Sequence, residues 1–586
     1  MSIDSLSGLG TAHRLASMRP TIAGTSHVVS AGHYLAAQSA LQILESGGNA
    51  IDAGVAAGLV LGVVQSELVN VAGVAPIILY LAERDDVITI SGLGCWPRAL
   101  DPDFFMREHG GAIPEGILRT VVPAAPDAWI TALARYGTMR FSEVAQSAIG
   151  FARDGFVMYP LMAELLHTYA DSYARWPSSA AIYLPEGRPP EVGDLFVQSD
   201  LGRTLQYMAD CETAARGRSR VEGLKAARDA FYRGDIARTI VAFHEENGGL
   251  LSMEDLADFQ VGIEPAVSAK FRGSTMYACG PWCQGPALLQ MLTMLAGVDL
   301  ASLGHNSSAY VHTLVETIKL AFADRHRYFG DPRFTDVPLG LLLDPAYAAG
   351  RRELIDPRRA WPDMPPAGLG GGASIDGGVL AAPKLAALDT SYLAVIDRRG
   401  NVFSATPSDV SYDTPVVTGT GLCPSSRGSQ SWADPRHPSG VAPGKRPRLT
   451  PAPFIARAAD GAFTAMGTPG GDVQLQALLQ VWLNLQVFGM PPQAAVEAAR
   501  FASYSFPDSF EPHAAYPGRL NIEERLGPQQ ISDLRMLGHD VAVWPDWAWR
   551  AGAVCVARQR PGGRSKPPRI PVARPMRLAD RRSRLQ

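Results

Sequence analysis

Long hydrophobic runs are missing from this sequence. The most apolar stretch, Ile51 to Val64, ends at Gln65-Ser66-Glu67, well short of the roughly 20 residues a bilayer-spanning helix needs. A core helix is therefore expected there. The opening Met1-Ser2-Ile3-Asp4-Ser5 has no basic segment followed by an apolar one, so no secretory signal is expected and the chain reads as soluble and cytoplasmic. Cysteine is scarce. Of the six, only Cys279 and Cys283 lie close together, and no second Cys or His pair stands at zinc-site distance. Structural thiols are expected, with no metal site. An excess of charge is also absent: 53 basic side chains face 57 acidic ones, which leaves no general nucleic-acid footprint. The Gly-x-Ser-x-Gly elbow, the His-Glu-x-x-His pair and the kinase signatures are all missing.

What is present is a globular composition, 46% hydrophobic and 19% charged over 586 residues, long enough for several domains or one large core. The even charge conceals an asymmetry. Arg558 to Gln586 holds ten basic residues and one acid, Asp580, so the remainder carries a net −13 against a total of −4. Apolar periodicity predicts a helix from Tyr34 to Leu44, stopped at Gly47-Gly48, and a second, buried one from Ala50 to Val64 opened by Asn49. Further helices are expected at about 125–136, 141–154, 226–246 and 308–328. Ile77 to Leu81 and Val87 to Ile90 read as a hairpin, and Trp176 to Asp194 as loop. His312 and Glu316 stand one helical turn apart and read as a partly buried surface pair, with no third ligand nearby in sequence. The Gly368-Leu369-Gly370 triplet lacks the strand, Lys-Ser/Thr and helix of a nucleotide loop.

Residues 361–389 are rich in Pro and Gly and read as a flexible linker. Directly after them Thr390 opens a strand, Thr390 to Asp397, which turns at Arg398 to Asn401 into a second strand, Val402 to Thr406. A threonine at a strand start behind such a linker suits one chemistry in particular. If the chain is cut before Thr390, the new α-amine lies beside the hydroxyl and can serve as its base. Many strands begin with threonine, so this pattern is weak by itself. A second weak signal is Gly470-Gly471 between a short strand, Phe463 to Met466, and an apolar helix, where exposed N–H groups suit an oxyanion.

The matches in order along the chain are more specific. Glu45-Ser46-Gly47-Gly48-Asn49-Ala50-Ile51-Asp52-Ala53, Phe231 to Ala237, Gly248 to Leu256, Leu320 to Arg325 with Gly330-Asp331-Pro332, Asp389-Thr390-Ser391, Lys445-Arg446-Pro447 and Gly467 to Gly471 resemble the gamma-glutamyltranspeptidase family from about residue 25 to 556. The resemblance implies an α+β fold, the four-layer αββα sandwich of N-terminal-nucleophile hydrolases. It implies self-cleavage between Asp389 and Thr390 into pieces of 389 and 197 residues that stay together as a heterodimer. Read this way, residues 1–24 are an irregular arm, 25–389 the large subunit, 390–557 the small subunit and 558–586 a basic tail. Thr390 would be the nucleophile, Ser408 a hydroxyl assisting it, and Gly470 and Gly471 the oxyanion donors. A small-molecule amide is the expected substrate. No cofactor, metal, nucleic acid or membrane is implied, and pairing of two heterodimers is left open.

Several positions depart from the family pattern. Members that hold a glutamyl α-carboxylate use an Arg-Glu pair where this chain has Leu93 and Gly94, with Arg98 as the one nearby substitute. The turn at Asn70 to Ala75 has lost glycines. Where glutamyl-specific members carry Gln and Asp, the sequence reads Ser425-Ser426-Arg427-Gly428-Ser429-Gln430. Arg427 resembles the acylase branch and would pair with a substrate carboxylate. Of two family hydroxyls, one is replaced by Leu449 and the other is kept as Thr450. These departures favour an acylase or amidohydrolase. A strict gamma-glutamyltransferase and a non-catalytic scaffold are the alternatives.

Overall fold

The computed structural model describes residues 17–215, 217, 219–369 and 389–559. The apolar run at Ala50–Val64 is a helix buried along its whole length. Asn49 caps it by accepting from the N–H groups of Ile51 and Asp52, and the Asp52 carboxylate returns to the Asn49 N–H, a reciprocal capping box. Asp52 also accepts from Thr138 and Met139. The Asn-Ala-Ile-Asp tetrapeptide is therefore a structural joint. Two glycines let this helix lie directly against its neighbours: a Cβ on Gly54 would stand 2.4 Å from the Phe403 ring, and one on Gly58 2.6 Å from Trp129.

Beneath that helix lies a six-stranded antiparallel sheet in the order Val28–Ala31, Leu393–Ile396, Val402–Ala405, Ile77–Leu81, Asp86–Ile90, Ile263–Pro265. A second antiparallel sheet runs Cys555–Arg558, Phe463–Gly467, Phe454–Arg457, Ser274–Ala278, Val267–Phe271. Both faces of each sheet are covered, and the period-2 alternation of side chains decides which residues go where. Ile78, Tyr80, Ala394 and Ile396 point between the sheets, against Ile455, Phe463, Ala465 and Ala557. Ile77, Leu79, Val395 and Phe403 point outward into the helices Tyr34–Glu45, Ala50–Val64 and Ala125–Tyr136. On the far side, Met276, Phe454 and Met466 pack on Gly285–Leu295, Ser308–Tyr328 and Val473–Gln486. The layers are thus helix, sheet, sheet, helix, the expected sandwich. Its sheets are completed by strands from both sides of position 390.

Some local expectations need correction. The span 176–194 is not all loop, since Pro177–Tyr183 is helical with Pro177 in its first turn. The helix expected at 226–246 is two, Arg220–Tyr232 and Asp235–Glu246, separated at Arg233-Gly234. Residues 361–369 of the expected linker are tied to the body: Trp361 to Glu316 and Lys319, Pro366 to Arg351, and Gly368 to Asp324. Residues 370–388, most of the linker, lie outside the described residues, as does the tail beyond Gln559. Arg558 itself completes the edge strand, opposite Thr464, and Gln559 bonds Phe463. In the N-terminal arm, Met18 and Arg19 bond Glu497 and Gln493, and residues 1–16 are not described. The six cysteines are free. No helix among the described residues is long and apolar enough to cross a membrane.

Candidate active site

Thr390 sits just before one strand and Ser408 just after its antiparallel neighbour, with Leu393 opposite Ala405. The pairing continues past the strand ends, where Ser391 N–H bonds the Pro407 carbonyl. The two hydroxyls therefore converge, Thr390 Oγ1 lying 2.6 Å from Ser408 Oγ. Both side chains are fully buried. Thr390 has φ +86, a conformation that costs a β-branched residue on the order of 1–3 kcal/mol. It is held there by its N–H on the Leu68 carbonyl and by Ser391 Oγ on Gln65.

Asp389 immediately precedes Thr390 and lies against it. Thr390 Oγ1 donates to Asp389 Oδ1 at 2.9 Å. The carbonyl of the same Asp389 accepts from Gly470 N–H at 3.4 Å. Gly470 and Gly471 have φ +121 and +55, values that glycine adopts without strain and that turn the strand Phe463–Gly467 into the helix Val473–Gln486. Of the two expected oxyanion donors, Gly470 is the one that bonds the Asp389 carbonyl.

Arg427 lies in a short 3-10 turn, Arg427–Gln430, and is 1% exposed. Its Nη2 reaches Asp389 Oδ2 at 2.5 Å and Ser408 Oγ at 2.5 Å, and its Nε is 3.6 Å from Asp409 Oδ2. Burial opposes its charge, but Asp389 and Asp409 outweigh that and hold its pKa above the ordinary arginine value. Asp409, raised by its own burial despite Arg427, is fastened by Ser425 and Ser426. Thr450 is less central. Its hydroxyl accepts from Gln430 at 2.7 Å, and no bond from it to Thr390, Ser408 or Arg427 is recorded among the described residues.

Residues given no role by the sequence complete the site. Gln284 donates to the carbonyls of Thr450 and Gly471 at 2.8 and 3.1 Å. Arg325, fully buried, donates to Gln284 Oε1 and to Asp472, so the glycine turn is braced from the helix Ser308–Tyr328. Gln474 is anchored by Ala452 N–H on its Oε1 and approaches Thr390 Oγ1 with its Nε2 at 3.4 Å. The match at Leu320 to Arg325 pointed to Arg325 without a role; Gln284 and Gln474 had nothing to mark them.

At Leu93 and Leu449, the positions expected from sequence to face a glutamyl α-carboxylate, the chain is apolar. Leu93 and Leu449 pack together with Val74, Cys279, Trp282 and Cys283. Val74 exchanges backbone hydrogen bonds with Ser408, so this cluster adjoins the Thr390–Ser408 pair. Gly94 has no room for a side chain, since a Cβ there would lie 1.7 Å from the Val122 carbonyl oxygen. Arg98 does not substitute: it is solvent-exposed and paired with Asp258 at 2.9 Å. It borders a cavity of about 310 Å³ lined also by Leu93, Cys95, Asp255 and Arg446, which none of Thr390, Ser408 or Gly470 lines.

The pair His312 and Glu316 is fully buried rather than partly exposed, and a third residue, His539, joins it. His312 Nδ1 lies 2.9 Å from His539 Nε2, and His312 Nε2 bonds the Asp356 carbonyl. The positive charge beside Glu316 comes from the chain itself, Lys319 Nζ at 2.8 Å. The group thus anchors residues 356–361.

Comparison with known proteins identifies relatives over most of the chain. The family model for gamma-glutamyltranspeptidase matches residues 36–573. The chain is 33% identical over 548 residues to the acylase ACY 1 proenzyme of Pseudomonas sp. (strain SE83), covering 91% of this chain and 90% of that protein. It is 28% identical over 526 residues to the glutathione hydrolase proenzyme of Escherichia coli (strain K12), covering 87% and 84%. Among solved structures, cephalosporin acylase from Bacillus halodurans superposes with a TM-score of 0.81 at 25% identity, over 97% of this chain and 99% of that one. A matching fold, a converged Thr-Ser-Gly site and a family match across most of the length lead to one conclusion: this chain belongs to the gamma-glutamyltranspeptidase family.

Proposed function

We propose that this chain is a self-processing amidohydrolase, an acylase, that cuts itself before Thr390 and then uses Thr390 to open an amide bond in a small molecule. One observation carries the reading: the scissile Asp389 carbonyl rests on Gly470 N–H while the Thr390 hydroxyl stands beside Ser408. The same three groups serve a substrate amide once the peptide is cut. The freed α-amine, at the place where Thr390 N–H now bonds Leu68, takes the Oγ1 proton. Oγ1 attacks the amide carbon, and the oxyanion settles on Gly470, a donor of a kind worth about 2.7–4 kcal/mol in other enzymes. The C–N bond breaks as the leaving nitrogen takes that proton from the α-amine, and water then hydrolyses the ester, returning a hydrogen to Oγ1. Proenzyme relatives support two subunits from one precursor.

The acyl group in this reading carries a carboxylate for Arg427 and no α-amino acid head. The apolar cluster at Leu93 and Leu449 and the closed backbone at Gly94 support that choice over strict gamma-glutamyl transfer. The intact nucleophile geometry argues against a scaffold role. Mass spectrometry of the purified protein tests the reading: fragments of 389 and 197 residues are expected, with Thr390→Ala remaining whole. A single wild-type species, or faster turnover of a gamma-glutamyl anilide than of a dicarboxylic monoamide, would overturn it.

A further inference from the structure

Self-cleavage meets a difficulty that substrate turnover does not. The α-amine that serves as base afterwards is still an amide nitrogen beforehand, so some other group must take the Thr390 proton. Among the described residues, three polar side chains contact Thr390 Oγ1. Gln474 presents its N–H, with Oε1 committed to Ala452, and cannot accept a proton. Ser408 accepts from Arg427 and lies 3.1 Å from Asp389 Oδ2, so a proton passed to it arrives at that carboxylate. The third is Asp389 itself, whose Oδ1 already receives the Thr390 hydroxyl at 2.9 Å.

We infer that Asp389, the residue before the cut, is the general base of the self-cleavage step. The inference rests on the self-processing reading above. Thr390 Oγ1 attacks the Asp389 carbonyl carbon, forming the C–Oγ1 bond while its proton passes to Asp389 Oδ1. The carbonyl electron pair moves to the oxygen on Gly470 N–H. Collapse breaks the C–N bond, and the nitrogen takes the proton back from the Asp389 carboxyl group to become the α-amine. Water then hydrolyses the ester, returning hydrogen to Oγ1 and leaving a C-terminal carboxylate on Asp389. The catalyst is consumed with its own peptide, and the new amine takes over its task.

Arg427 holds the second carboxylate oxygen and fixes the side chain toward Oγ1. The other ionisable groups that face Asp389 are Asp409 across Arg427, Asp508 and Tyr412. Of these, Asp508 is raised by burial to about 7 and could add its own pH dependence, so Asp508→Asn serves as the control.

The test follows cutting of freshly made full-length protein by gel and mass spectrometry from pH 4 to 9. Asp389→Asn keeps the shape and removes the basicity. It is expected to slow cutting by about 100-fold or more across that range. Asp389→Glu, which keeps a carboxylate near Arg427, is expected to recover at least about tenfold over Asp389→Asn. The inference is overturned if Asp389→Asn cuts at the wild-type rate, or if Asp389→Glu is no faster than Asp389→Asn. Wild-type protein that never cuts would instead defeat the reading beneath it.

Discussion

Arg427 and Asp389 form a buried ion pair, Nη2 to Oδ2 at 2.5 Å, with both side chains 1% exposed. Under the proposed cleavage, the carboxylate ends the departing segment and the guanidinium belongs to the site that stays. In the uncut chain Asp389 therefore occupies the cation proposed to receive a substrate carboxylate.

Removing that cation affects two stages. In the precursor, Arg427→Met strands the Asp389 carboxylate, and breaking a buried pair from one side costs about 3–5 kcal/mol. Cutting is expected to slow. In the fraction that matures, KM for a dicarboxylic monoamide is expected to rise at least tenfold, with little change for an uncharged acyl group. Parallel kinetics on the two substrates check this, and equal losses on both would remove Arg427 from substrate recognition.

Gly470 has a backbone role that other residues fill poorly. At φ +121 an alanine is strained and shifts the N–H off the scissile carbonyl. Gly470→Ala is expected to lower kcat by about 10²–10³ with a smaller effect on KM. Measurement on matured protein separates this from slower self-cleavage.

The brace behind the glycine turn is expected to matter as stability and as geometry. Arg325→Met leaves Asp472 buried without its cation, a loss of about 3–5 kcal/mol, readable from the denaturant midpoint. Gln284→Leu removes donors to the Thr450 and Gly471 carbonyls. It is expected to lower kcat more than it raises KM, because the turn is loosened while Arg427 is untouched.

Glu67 gives stability an unusual pH dependence. Burial raises its pKa to about 8, against the Tyr159 hydrogen bond that lowers it. A carboxyl raised on folding stabilises fully below its unfolded value, and that contribution is lost as pH rises toward the folded one. Glu67→Gln keeps an acceptor for the Tyr159 hydroxyl, 2.8 Å away. It is expected to raise stability near pH 7 by up to about 3 kcal/mol and to change little at pH 4. Denaturant titrations at both pH values check the sign.

Gly94 closes one route to a different specificity. With the Val122 carbonyl oxygen 1.7 Å from any Cβ, Gly94→Glu is expected to yield little folded protein, even combined with Leu93→Arg. Soluble expression with gained gamma-glutamyl turnover would contradict this account of the site.

The sequence by itself determined the parts written in short-range order. Alternating side chains in Ile77–Leu81 and Leu393–Ile396 assign each residue to one face of a sheet, because strand geometry has period 2. Asn49 and Asp52 cap their own helix within three residues, and Thr390, Ser408 and the Gly470 turn were legible because their family resemblance is local. Contacts made across long separations could not be read that way. Gln284 precedes one helix, Arg325 and Gln474 stand on two others, and they meet only when the second sheet and its helices pack; His539 reaches His312 across 227 residues. The pairing of Arg427 with Asp389 was likewise decided by tertiary structure. Burial leaves each charge without water, and the fold supplies each with the other as its partner.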